Sequence, residues 1–215
     1  MYQSAYIDAC WGSRIASGSL DAMKQAEHPG LHRWSRRQYG RLIDHGLLDE
    51  DDPVELLDGL LLVKEPQHSP HRTAVLLTAK ALERGFGEGW FIQTQSPIIL
   101  DDRSEPDPDV CVVRGSPRDY AVAHPTHPAL IVEVAQSGLP LARGRKAAAY
   151  ARAGIADYWI LNLGDRVLEV HRAPARPGPA RRNWGCLAIQ VLGADATVTP
   201  LAAPAAAISV ADLLP

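Results

Sequence analysis

SEPDPDVCVV, residues 104–113, sets two carboxylates, each directly after a proline, at the mouth of a run with no polar side chain beyond Asp109. Val110, Val112 and Val113 around Cys111 favour a buried strand. Pro106 and Pro108 fix the backbone just outside it. Asp107 and Asp109 are therefore either turn residues or the holders of something positively charged. Strand alternation places Asp109 on the same face as Cys111 and Val113.

Working outward, ALIVEV (residues 129–134) repeats the pattern, with Glu133 after an almost unbroken apolar run. A charge at the end of such a strand is costly unless it is paired or binds a cation. RGRKAAAYARAG (143–154) is an alanine-rich helix closed by Gly154, and it carries Arg143, Arg145 and Lys146. Lys146 and Tyr150, four apart, share a helix face. Upstream, Asp58-Gly59 in VELLDGLLLV predicts a tight hairpin. Helices are expected from Ser35 to His45, capped by Ser35 and ended by Gly46, and from His71 to Arg84. Further strands are expected at WFIQTQ, PIIL, DYWILNL and RVLEVHR, then a loop at APARPGPARR and a C-terminal part of one or two strands from Trp184. Residues 1–30 read as an extension or peripheral helix. The order predicts one α/β domain of mixed α+β type over 31–215, with its core at about 31–172 and C-terminal strands and tail at 184–215.

The chain has 215 residues with a formal charge of −3, which argues against a generally basic nucleic-acid coat protein but leaves room for a local basic groove. Three scattered cysteines give neither a disulfide framework nor a cysteine zinc site. No stretch predicts a membrane span or a signal peptide, so a cytoplasmic location is expected. No phosphate-loop or dinucleotide motif is present, so a nucleotide cofactor is not expected. The HxxH pairs His68/His71 and His124/His127 lack further ligands at zinc spacing. Ser137 lacks the context of a nucleophile elbow. HRWSRRQYGR (32–41) either tracks a phosphate backbone or is a solvated helix face with Trp34 and Tyr39 turned inward, and the second is the simpler reading.

If the strands of Asp109 and Glu133 are neighbours, their acids converge at the sheet edge, and with a lysine on the next helix they are the minimal equipment for metal-assisted phosphodiester hydrolysis. Carboxylate oxygens hold a hard divalent cation, which acidifies water, while an ammonium orients that water or offsets developing charge. The plainer alternative is that Glu133 and Lys146 simply pair with each other.

DDPVELLDG, HSPH, SEPDPDVCVVR, LIVEV, RGRKAAAYARAGIADYWILNL and LEVHR, in that order from Leu31 to about Arg172, resemble the Uma family of restriction endonucleases; ISVADLLP also looks like that family's ending. The family is similar to the PD-(D/E)xK nucleases. The resemblance implies a restriction-endonuclease-like core: a central mixed β-sheet flanked by helices, with an added N-terminal helix and hairpin. It implies Asp109, Glu133 and Lys146 as catalytic residues, Asp109, Glu133 and Glu55 as ligands of Mg²⁺ or Mn²⁺, and DNA as substrate. Arg143 and Arg145 are expected on DNA phosphates, with His71, Asp107, Gln136 and Tyr150 at the periphery. A homodimer is expected by analogy with nucleases that cut both strands. Family members carry acids near the positions of Gln136 and Ala142, so the alternative is a catalytically silent nucleic-acid-binding or protein-interaction module of the same fold.

Overall fold

A computed structural model describes residues 31–49, 52–64, 67–176, 178 and 183–215. The expected extension over 1–30 lies outside the described residues. Helix α1 (Arg36–Asp44) starts at Ser35, whose hydroxyl accepts from Gln38 N while Gln38 Oε1 accepts from Ser35 N at 2.8 Å, a reciprocal capping box. Its arginines are partly absorbed by the fold: Arg36 pairs with Glu105 at 2.8 Å, and Arg33 donates to the carbonyl of Asp58. Tyr39 turns inward and donates to Val54 O.

Strands β1 (Val54–Leu57) and β2 (Leu60–Val63) form the hairpin. Asp58 and Gly59 both adopt positive φ, 53° and 74°, as the tightest right-twisting turn requires. Helix α2 (Ser69–Phe86) begins two residues before the expected His71, because Pro70 suits the first turn, where a missing N–H costs nothing.

The central sheet among the described residues has the order β3-β4-β5-β6-β7-β8, comprising Trp90–Thr94, Val110–Arg114, Leu130–Ala135, Asp157–Asn162, Val167–Ala175 and Gly185–Leu192. Only β5 and β6 are parallel, joined through a helical crossover, so the sheet is mixed. One face packs on α2 and on the tail strands β9 (Thr197–Val198) and β10 (Ile208–Ser209), burying Val110, Val112, Leu130, Val132 and Trp159. The other face buries Cys111, Val113, Ile131, Tyr158 and Ile160 under the crossover. No helix among the described residues is long and apolar enough to cross a membrane.

Two expectations change. PIIL is not a strand: Pro97 has no N–H to donate, and Ile98 and Leu100 bond instead to Pro106 O and Ser104 O in an irregular loop. Strand β7 runs on through Ala173 to Pro174 and Ala175, and the last two pair with Cys186 and Gly185 of β8 where a loop was expected. The remainder of that loop lies largely outside the described residues.

Asp157 ties the tail to the sheet. It is fully buried and accepts from Trp159 Nε1 at 2.8 Å, Arg172 Nε at 2.8 Å and Leu201 N at 2.8 Å. Removing it takes the acceptor from the buried Trp159 indole and breaks the ties to Arg172 and Leu201. Asp157→Ala is expected to destabilise the protein by about 3 kcal/mol in urea unfolding, and Asp157→Asn by less.

Candidate active site

Strand register places the acids. In the β4–β5 pair Val110 faces Val132 and Cys111 faces Ile131. One further step sets Asp109 opposite Glu133, on the crossover side of the sheet, at the roughly 5 Å side-chain spacing of directly opposed residues. The hairpin brings Glu55, the first turn of α2 brings His71, and the crossover brings Lys146. Glu55, Asp107, Asp109, Glu133, His71, Gln136 and Lys146 all line one cavity of about 440 Å³.

The crossover comprises α3 (Leu139–Leu141), a π-helical turn (Ala142–Lys146) and α4 (Ala147–Arg152). A regular helix was expected there, but the extra residue per turn lets neighbouring side chains reach different partners. Lys146 Nζ lies 3.0 and 3.1 Å from the two oxygens of Glu133 and 3.2 Å from Glu55 Oε1. Tyr150, one turn on, donates to Glu133 Oε1 at 2.6 Å. Glu55 Oε2 accepts from the backbone N–H of Asp107 at 3.1 Å, fastening the hairpin to the PDPD loop. Asp109 is held from both sides, with Val134 N donating to Oδ2 at 2.8 Å and His71 Nε2 at 2.9 Å from Oδ1.

Two expected residues lie elsewhere. Neither Arg143 nor Arg145 lines the cavity. Arg143 grips Glu169 with Nη2 at 2.6 Å from Oε1 and Nε at 3.0 Å from Oε2. Arg145 lies 3.9 Å from Asp58, the carboxylate that Arg152 holds at 2.7 Å. Lys64 and Glu169 are additions that sequence reasoning missed. Lys64 Nζ meets Asp107 Oδ2 at 2.6 Å on the cavity wall. Glu169 stands alone in the apolar strand VLEV, the same signal that marked Glu133.

Burial dominates the electrostatics of the cavity. Four carboxylates line it, together with the ammonium groups of Lys64 and Lys146 and with His71, which contacts Asp109. Burial, reinforced by Asp109 and Glu55 and opposed by Lys146 and Tyr150, pushes the Glu133 carboxyl up to about 7. Burial works against the charge on Lys146, but Glu133 and Glu55 outweigh it and hold its pKa above the ordinary value. Burial also raises Asp107, against the opposing Lys64. Hard oxygens and excess negative charge fit a divalent cation held by Asp109 and Glu133, with Glu55 behind. No cluster of three or more His, Cys, Asp or Glu among the described residues is a ready ligand set. At Glu133 the reason is visible: the ammonium takes both oxygens.

Two outcomes follow from this arrangement. Because Lys146 competes for Glu133, Lys146→Met is expected to tighten Mn²⁺ binding about tenfold in calorimetry, and weaker binding would contradict the competition. The folded pKa of Glu133 lies above its ordinary value of 4.5. Its stabilising contribution in metal-free protein is therefore complete below pH 4.5 and lost as pH rises through about 7. Urea unfolding of wild type and Glu133→Gln across that window should show the wild type losing stability relative to the variant.

The sequence profile of the Uma2 family, described as "Putative restriction endonuclease", matches residues 37–200. The crystal structure of a protein described as a "putative nuclease", from Anabaena variabilis, aligns with a TM-score of 0.61 at 17% identity. That alignment covers 80% of this chain and 96% of the other, and at such identity it establishes a shared fold. No curated protein matches.

Proposed function

Since the chain belongs to the Uma2 family, we propose that it is a divalent-metal-dependent nuclease that hydrolyses DNA phosphodiester bonds at the Asp109–Glu133–Lys146 cluster. One observation carries the reading: chain segments far apart in sequence deliver four carboxylates and a buried lysine to one open cavity.

Mg²⁺ or Mn²⁺ held by Asp109 and Glu133, with Glu55 as a further oxygen, would supply polarisation of the phosphate and a more acidic water. The chain's own groups do the rest. His71 and the Val134 N–H keep the Asp109 carboxylate from rotating. Tyr150 holds Glu133 by the same oxygen that faces Lys146. Lys146 stays charged in its acidic surroundings, so it offsets negative charge developing on the phosphate and orients the attacking water. Lys64 adds a second positive charge on the cavity wall, a contact for an anionic strand. DNA is accordingly the proposed partner, and the proposal does not need a second copy of the chain.

The test is cleavage of supercoiled plasmid and of single-stranded DNA with Mg²⁺ or Mn²⁺. Asp109→Ala and Lys146→Met are each expected to lower the rate by about 100-fold or more. Cutting that survives both substitutions would place the activity outside this cluster. No cutting, together with no metal binding in calorimetry, would favour the silent module.

A further inference from the structure

The π turn sits over two acids, not one. Glu133 on β5 faces Ile160 on β6, and Ile160 faces Glu169 on β7. The two carboxylates therefore belong to one cross-strand row on the same face, separated by one strand, about 10 Å apart at the usual strand spacing. Ala142–Lys146 spans that row: Arg143 descends on Glu169 and Lys146 on Glu133. In an α-helix, residues three apart point within roughly 60° of each other. A π turn, at roughly 4.4 residues per turn, opens that angle to about 115°. The wider turn is what allows two basic side chains, 143 and 146, to reach acids two strands apart. A third tie comes from Tyr158, whose hydroxyl donates to Ala142 O at 3.0 Å.

We propose that Glu169, acting through Arg143, is a positioning residue for Lys146: the bidentate pair holds the π turn in the conformation that presents the ammonium to Glu133 and Glu55. Glu169 is buried, while the Arg143 side chain is half exposed. The buried acid is thus the fixed point and the arginine the strap that lies over the turn. This assigns Arg143 to the architecture of the site, away from the phosphate contact expected of it, and explains why a guanidinium beside the cavity turns its fork to the neighbouring strand. The adjoining cleft supports the same assignment. It is lined by Asp165, Glu169 and His171 along with Arg143, so the Arg143 fork faces acids there.

The activity arm of the test rests on the nuclease reading, and a second arm does not. In metal-free protein, acylation of Lys146 by acetic anhydride is followed by peptide mass spectrometry for wild type, Arg143→Gln, Glu169→Gln and the double variant. Each single substitution is expected to raise Lys146 labelling about tenfold, with the double no greater than either single, because both break one link. In plasmid cleavage with Mn²⁺ the same variants should lose about tenfold in kcat with KM unchanged. Arg143→Lys, which keeps the charge without the fork, should recover part of both. Unchanged Lys146 labelling in folded Arg143→Gln would overturn the proposal. So would a rise in KM at constant kcat, which would mark Arg143 as a DNA contact. If the wild type does not cut DNA, the nuclease reading falls and the labelling arm alone decides the role of Glu169. Arg143→Gln alters a half-exposed side chain, so it keeps the test open if Glu169→Gln does not fold.

Discussion

The site depends on where one ammonium is buried. Lys146 is 7% exposed, and an unpaired charge in that position would cost several kcal/mol in lost hydration. Its partners come from the hairpin, through Glu55, and from the centre of the sheet, through Glu133. Neither element contacts the other through regular pairing; they belong to separate sheets. The lysine therefore ties the hairpin, the sheet and the crossover helix together at the site, alongside the Arg152–Asp58 pair between crossover and hairpin. Glu55 extends the link to the PDPD loop through the N–H of Asp107, which brings Asp109 into register. Removing Lys146, Glu55 or Glu133 leaves the others as uncompensated buried charge.

Buried charge alone does not identify a site, and Asp157 supplies the contrast. It is as deeply buried as Glu133, yet indole, guanidinium and backbone donors occupy both its oxygens, and it lines none of the cavities described above. Its role ends with holding the tail. The Asp109–Glu133 pair differs in its setting. It opens on a cavity, and burial, reinforced by Asp109 and Glu55, lifts the Glu133 carboxyl to about 7. The oxygens of Asp109 and Glu133 also have partners, so what separates the pair from Asp157 is the cavity of about 440 Å³ that both residues line.

Much of this was legible in the sequence because the signals are local. Asp109 and Glu133 each stand alone beside an apolar strand, Asp58-Gly59 has the one turn chemistry that suits a two-residue hairpin, and Lys146 and Tyr150 are one helical turn apart. What was not legible depends on partners distant in the chain. Arg143 looks like a free phosphate contact until β7 brings Glu169 beneath it. The π turn has little signature of its own, since residues 142–146 are ordinary helix formers apart from Gly144. Its widening answers to Glu169, Tyr158 and Glu133 together. PIIL has the composition of a strand, but Pro97 and the ladder-free neighbours Ser104 and Pro106 give it nowhere regular to pair.

The two departures from the family resemblance can be weighed in the same terms. Both positions line the cavity; Ala142 is buried at the start of the π turn, with its carbonyl taken by Tyr158. An aspartate at 142 would add a further carboxylate to a cavity where burial already pushes the Glu133 carboxyl up to about 7. Like charges at such range cannot all ionise, so the added acid would raise Glu133 further and draw Lys146 toward itself. Alanine at 142 leaves the ammonium committed to Glu133 and Glu55, and it leaves the strap between Arg143 and Glu169 as the means of aiming it. The absence of those acids is therefore no sign by itself of a dead site. Lys64, seated on Asp107, and Arg143, seated on Glu169, place cations directly beside two of the acids around the site.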